Sequence, residues 1–384
     1  MKGIQVKGAI SVLAAAMLLG IAVNASALDI QSGSDKVDLK LKGHLNRAVM
    51  FADDGKESKA FHVDNTNSES RVGLFGKVKA SDNLTVGGNI DLQWQSNPSD
   101  KVSMEEESVA GEFIDRAMEV YFDVKQFGKL SLGKGKMASD ESVEVDLSGT
   151  DLAGNVGVGD VGGSLKFNGP ASLDPTVDAD GNVVDKRLSV GNVFDHMDGL
   201  SKKNRVRYDS PAFAGFSLSA SAGEKDMTDA TLNYSGEVSG TKLQGVLALV
   251  NPGSGKDYSQ IDGSLSALFD FGLNLTVASG SRSMDNLPAG GDDPVYSYGK
   301  IGWKCDKLLP YGSTAFSVDY GVYENIKHQD KDEQGTAYGL QLVQKLADWN
   351  TELFAAYRNF SLEDNTGAEY DDISVIMSGA RLKF

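Results

Sequence analysis

Side chains able to bind metal or phosphate are present in this chain, but their spacing matches no familiar motif. The four histidines form neither a His-Glu-x-x-His helix nor a pair with metal-ligand spacing, which argues against zinc catalysis. Residues 133–136, Gly-Lys-Gly-Lys, do not complete a phosphate-binding loop. The turn at 178–182 lacks a closing bidentate glutamate, so a solvated turn is favoured over a calcium site. We therefore expect no metal and no cofactor. The histidines are His44, His62, His196 and His328.

Composition narrows the class of protein further. The formal net charge is −17 and no basic face is concentrated anywhere, which excludes nucleic acid as a partner. The single cysteine, Cys305, excludes an intramolecular disulfide framework. Gly is abundant at 44 residues and Pro is scarce at 8, a balance that suits long strands joined by tight turns.

The N-terminus has the pattern of a secretory signal peptide. Lys2 and Lys7 precede an apolar run at 9–23, and the small residues 25–27 follow it. The alternative, an anchor helix, would need about 20 apolar residues to span a bilayer. We expect residues 1–27 to be removed, which leaves a single domain at 28–384. No stretch beyond Leu28 is long and apolar enough to predict a transmembrane helix.

The elements that would position any site are strands, because apolar and polar residues alternate with a period of two. Leu84, Val86, Ile90, Leu92 and Trp94 share one parity. The residues between them are polar, so one face is apolar and the other polar. This pattern recurs along the chain and predicts an all-β protein. Strands of a soluble sandwich would be shorter and would not show one uncharged face each.

Connections between the predicted strands alternate between short turns and long, often acidic loops. This alternation is the organisation of a transmembrane antiparallel β-barrel, with turns at one rim and loops at the other. Sixteen strands are counted, an even number that returns both termini to one rim. The stretch 138–203, between the fifth and sixth strands, is far longer than the other loops. So long a loop is usually functional.

Four segments, taken in order and spacing, resemble the trimeric general porins of Gram-negative outer membranes. They are residues 67–71, 127–134, 205–216 and 379–384. The resemblance covers the whole mature chain. It implies that the long third loop folds into the lumen and narrows it, with carboxylates facing a wall of basic side chains. By resemblance the acidic residues are Asp140, Glu141, Glu144 and Asp146, and the basic ones are Arg71, Lys134, Arg205 and Arg207.

Two of the basic residues depart from the alternation. Lys134 shares parity with the apolar Leu130 and Leu132, so an inward position would need a bulge or strand end at a neighbouring glycine. Arg47 shares parity with Leu45 and would face outward, at a rim or between protomers, unless the register shifts by one residue there.

The resemblance also implies partners and an assembly signal. Leu382 and Phe384 end the last strand on its apolar face and are similar to the signal that the barrel assembly machinery recognises. A homotrimer in contact with outer-membrane lipid and lipopolysaccharide is expected.

The expected function is passive diffusion of small hydrophilic solutes and ions, by a protein that is not an enzyme. Removing Lys2 and Lys7 from the 37 basic residues leaves a charge of about −19 against 54 acidic ones, which predicts a preference for cations. Two alternatives remain open. One is a channel selective for a sugar or an anion, for which Tyr296, Tyr298 and Tyr323 could line a path. The other is a barrel enzyme, such as a phospholipase, with a nucleophile and base on adjacent strands.

Overall fold

The computed structural model describes residues 28–29, 36–178 and 182–384. The predicted signal peptide at 1–27 lies outside these residues, as do positions 179–181 of the Asp-rich turn. Among the described residues, no helix is long and apolar enough to cross a membrane.

Sixteen antiparallel strands form a closed barrel, which confirms the predicted architecture. Each strand pairs with the next along the chain, and β16 pairs with β1 through Ala48 and Gly379. This last pairing removes both sheet edges, so the backbone groups of the first and last strands find partners. The barrel strands are β1 Val37–Asp53, β2 Arg71–Lys79, β3 Leu84–Gln95, β4 Glu112–Val124, β5 Gly128–Lys136, β6 Lys202–Asp209, β7 Phe216–Gly223, β8 Thr228–Val238, β9 Thr241–Asn251, β10 Tyr258–Leu268, β11 Leu273–Met284, β12 Val295–Leu309, β13 Gly312–Glu324, β14 Gln334–Leu346, β15 Thr351–Glu363 and β16 Ile373–Lys383.

The alternation in sequence becomes an apolar outside and a mixed inside. On β9, Leu247 and Leu249 point outward and are 51% and 59% exposed, whereas Ala248 and Val250 between them are buried. On the neighbouring β10, Ser264 and Ser266 point inward and are buried. An outer surface of this kind suits lipid, because every strand turns one apolar face toward it.

The two rims differ in the length of their connections. One rim has tight turns such as 239–240 and 310–311, and the other has longer loops. In the first loop an additional strand, Ser58–Asp64, pairs with residues 47–53 of β1. The short strand Leu28–Asp29 pairs with Leu41 and Lys40 of β1. Short elements outside this sheet are the strands Thr176–Val177 and Val183–Val184, the helix α1 at Val190–Val193, and the 3-10 turns Thr66–Ser68, Val158–Asp160, Ala171–Leu173, Glu224–Asp226 and Ala347–Trp349.

Candidate channel constriction

The connection between β5 and β6, residues 137–201 and here called the long loop, lies against the inner wall of the barrel. Its first residues bind inward-facing side chains of successive strands. Ser139 donates to the Asp229 carboxylate on β8 through its backbone N, at 2.8 Å, and through its hydroxyl, at 2.5 Å. Thr150 then hydrogen-bonds Ser317 on β13 at 2.7 Å. The inner polar face therefore serves as a row of anchors for the long loop.

The later part of the long loop packs an apolar cluster inside the barrel. Phe194 makes edge contacts with Tyr323 and Phe360 of the wall, at ring-centroid distances of 5.0 and 5.1 Å. Tyr296 and Tyr298 also face inward, but the cluster covers both of them. All three tyrosines considered for a sugar path are therefore buried and do not line open space.

Open space remains between the long loop and the opposite wall, which β1 to β6 form together with the C-terminal end of the chain. A cavity of about 810 Å³ lies there. Its lining holds nine Lys and Arg side chains but only three Asp and Glu side chains. The basic residues are Lys42, Arg71, Arg116, Lys129, Lys136, Lys202, Arg205, Arg207 and Lys383, and the acidic residues are Asp91, Glu119 and Glu141.

Three of the four basic residues named from the sequence line this cavity. Arg205 forms an ion pair with Glu119 and donates to the Lys136 carbonyl at 2.9 Å. Gly135 leaves room for this pair, because a Cβ there would lie 2.8 Å from the Arg205 guanidinium. Arg207 is held by the Met137 carbonyl at 2.6 Å. Arg71, in contrast, forms no ion pair within 4.0 Å among the described residues.

Of the four loop carboxylates, Glu141 alone lines the cavity. Glu141 pairs with Lys136. Burial acts to raise its pKa, but the Lys136 ammonium outweighs burial and the pKa falls below its ordinary value. Asp140 lies behind it, 2.9 Å from Lys202, and burial raises the pKa of Asp140 despite that partner.

The remaining two carboxylates face away from the cavity. Asp146 lies 2.7 Å from the buried ammonium of Lys300 on β12. Burial raises the pKa of Asp146, but the pair with Lys300 and bonds from Ser148 give a net lowering. Glu144 lies 3.7 Å from the Nε2 of His196 in the returning part of the long loop. These two carboxylates hold the loop in place instead of facing the basic wall.

Lys134 does not line the cavity, so its predicted inward position is wrong. It pairs in register with Met118, which is 57% exposed on the outer face, and it lies 2.5 Å from Asp115 on the same face. The bulge occurs on β4 instead. The register shifts there so that Arg116 is the additional residue.

This bulge brings Arg116 into the cavity, a residue that sequence reasoning missed. Arg116 lies 3.2 Å from Glu69 and also donates to Gln93. A signal was present in the sequence. The outward parity changes from Phe113 to Met118, and a change of parity within one strand indicates an inserted residue. The other missed cations are Lys42, Lys129, Lys136, Lys202 and Lys383. Lys136 and Lys202 lie at strand ends, where alternation no longer predicts direction.

Arg47 faces outward with Leu45, as the unshifted register predicts. Its guanidinium donates to the Ser96 carbonyl at 2.7 Å and lies 3.6 Å from the buried Asp64 carboxylate. Backbone and carboxylate groups of the first two loops therefore satisfy this outward charge.

At the other end of the chain, Leu382 is 43% exposed, and Phe384 follows β16 and borders the cavity. Phe384 exchanges two backbone hydrogen bonds with Gly43 on β1, both 2.9 Å long. Its ring covers Gly43, where a Cβ would lie 2.7 Å from a ring carbon. The last residue of the strand therefore contacts the first strand directly.

Comparison with known proteins agrees with this architecture. The sequence profile of the Gram-negative porins matches residues 11–365. This chain belongs to the Gram-negative porin family. Membership implies an outer-membrane channel with a transmembrane barrel, and it confirms the resemblance seen in the sequence. No match was found among curated protein sequences.

Solved porins share this fold at low sequence identity. The anion-selective porin of Comamonas acidovorans is 16% identical, with a TM-score of 0.58 over 91% of this chain and 100% of that one. OmpT of Vibrio cholerae is 15% identical, with a TM-score of 0.56 over 93% and 100%. OmpF of Salmonella typhi, in complex with daunomycin, is 13% identical, with a TM-score of 0.53 over 92% and 100%.

Proposed function

We propose that this porin is a passive channel for small hydrophilic solutes and that it favours anions. The observation that supports this preference is the cavity lining, with nine basic against three acidic side chains. Lys42 and Arg71 are the cations best placed to act on a passing ion, because neither forms an ion pair within 4.0 Å among the described residues. A low-dielectric wall of one sign concentrates counter-ions.

The charge of the whole chain predicts the opposite preference, for cations. That prediction treats all charges alike, whereas salt screens a charge more than about 8 Å from the ion path at physiological ionic strength. Acidic residues of the loops at the long-loop rim, other than residues 137–201, contribute most of the net negative charge. The cavity lining does not include them. In our proposal, the charges that line the cavity therefore decide whether the channel favours anions or cations.

The test is a reversal-potential measurement on single channels in a KCl gradient. We expect chloride to be favoured in the wild type. Replacing Lys42 and Arg71 by Gln should shift the reversal potential toward cations, and Glu141→Gln should shift it toward anions. The matched control is the double variant Lys256→Gln, Lys327→Gln, which removes the same number of charges from exposed loop positions that do not line the cavity. A cation-selective wild type would refute the proposal and restore the prediction from net charge.

Neither alternative function gains support from a particular contact. A sugar path through Tyr296, Tyr298 and Tyr323 is opposed by their burial under the long loop. One Ser–His pair does occur, with Ser68 Oγ 3.3 Å from His44 Nε2. However, the same nitrogen lies 2.8 Å from the Glu69 carbonyl, which can only accept. A nitrogen that donates to a carbonyl cannot also remove a proton from serine.

We further propose that the mature protein is a homotrimer that begins at Leu28. One solved form of Vibrio cholerae OmpT is a trimer. In this chain the pair between Lys134 and Asp115 lies on the outer face of β4 and β5, where direct contact with lipid would be costly. Native mass spectrometry of detergent-extracted protein should give three copies of residues 28–384. A monomer mass, or retained residues 1–27, would contradict this.

A further inference from the structure

We propose that Glu144, His196 and Asp198 bind a divalent transition-metal ion such as Zn²⁺. The ion would lie between the two limbs of the long loop, the outgoing limb that follows β5 and the returning limb that leads into β6. Their ligand atoms all lie within 4.8 Å of one another. An imidazole nitrogen together with carboxylate oxygens is a donor set that Zn²⁺ accepts, whereas Ca²⁺ and Mg²⁺ prefer oxygen alone.

In the part of the chain that the structure describes, neither Glu144 nor Asp198 has a Lys or Arg nitrogen within 4.0 Å. A third carboxylate, Asp160, borders the His196 ring. Its Oδ2 and the His196 Cε1 lie 2.9 and 3.3 Å from the position that a Cβ of Gly157 would occupy. Clustered carboxylates of this kind favour a bound cation.

One carboxylate oxygen of this cluster is buried without a hydrogen-bond partner. Asp198 Oδ2 accepts from the backbone N of Glu141 at 3.1 Å, but Oδ1 is buried and has no partner. An unpartnered buried carboxylate oxygen is costly, and a metal ion would supply the missing interaction. This observation is independent of the donor cluster and points to a cation.

An ion from solvent can reach the site. The side chains of His196 and Glu144 are 23% and 31% exposed, which leaves room for water in an open coordination position. Glu144 belongs to the outgoing limb of the long loop, and His196 and Asp198 belong to the returning limb. These limbs are already joined by the bond from Leu200 N to Ser139 Oγ at 2.8 Å. Glu141 N, which donates to Asp198, also joins them, and the metal would add a further cross-link beside Glu141, which lines the cavity.

The test is Zn²⁺ binding to the chelator-treated porin in detergent, by calorimetry and by visible absorption with Co²⁺ as the spectroscopic probe. We expect one saturable site per chain. Substitution of an outer-shell residue typically lowers metal affinity 10- to 100-fold, so loss of a direct ligand in His196→Ala, Glu144→Gln or Asp198→Asn should weaken binding by about tenfold or more. Heat-modifiable gels would establish that each variant is folded.

His328→Ala is the matched control, because His328 also lies beside a carboxylate, Glu333 at 3.1 Å, but no third ligand joins them among the described residues. Its affinity for Zn²⁺ should equal that of the wild type. As a second readout, Zn²⁺ should shift the reversal potential toward anions in the wild type and not in His196→Ala. Absence of a saturable site, or equal binding by His196→Ala, would overturn the proposal. The binding measurement does not depend on which ion the channel prefers.

Discussion

Gly43 is a residue whose missing side chain allows two strands to meet. A Cβ at this position would lie 2.6 Å from the Arg71 carbonyl and 2.7 Å from the Phe384 ring. Gly43→Ala should therefore displace the aromatic end of β16, at an overpacking cost of about 1–3 kcal/mol. We expect a smaller fraction of folded barrel in outer membranes, measured as the heat-modifiable band on gels.

Gly299→Ala on β12 is the control for that substitution, because nothing lies within 4 Å of the Cβ position there. Its folded fraction should match that of the wild type. Phe384→Ala should lower assembly like Gly43→Ala if contact between the first and last strands is what matters. Normal assembly of both variants would contradict the role assigned to Phe384.

Side-chain direction at the residue scale was predictable wherever the strand was regular. Arg47, Arg71, Arg205 and Arg207 point as their parity predicts. Lys134 also points outward as its own parity predicts, and only the resemblance placed it inward. Arg116 was missed because an inserted residue on β4 reverses the parity of the residues that follow it. Ion pairs such as Asp146 with Lys300 could not be predicted, since the partners lie far apart in sequence.

At the scale of elements, the long loop depends on its own apolar cluster. Phe194 contacts two wall aromatics, and truncating a buried phenylalanine typically costs about 3–5 kcal/mol. In Phe194→Ala, hydrogen exchange should accelerate in residues 152–167, while the barrel strands keep their protection. Phe213→Ala serves as control, because Phe213 is 84% exposed. Unchanged exchange in the long loop would show that its polar anchors suffice.

The strands were predictable as elements because one physical requirement acts on all of them. A strand between lipid and a polar interior must alternate, and that constraint is local to its own residues. The path of the long loop has no such local rule. It depends on contacts such as Ser139 with Asp229 and Phe194 with Tyr323, which join distant parts of the chain. The position and length of the long loop in the sequence predicted only that it is functional.

At the scale of the whole molecule, the acidic outer loops and the basic cavity oppose each other, and salt decides how far each acts. The Debye length is about 10 Å at 0.1 M and about 30 Å at 0.01 M. The triple variant Glu106→Gln, Glu363→Gln, Glu369→Gln removes exposed charges from two loops and a strand end, none of which line the cavity. It should change the reversal potential little in salt near 0.1 M and clearly near 0.01 M.

The cavity variant Lys42→Gln, Arg71→Gln should behave differently, because its charges lie beside the ion path. Its shift toward cations should appear at both salt concentrations and should shrink near 1 M, where the Debye length is about 3 Å. If the loop variant shifts selectivity as much as the cavity variant near 0.1 M, the net charge of the molecule governs permeation. In that case the prediction of cation preference from net charge would replace our proposal.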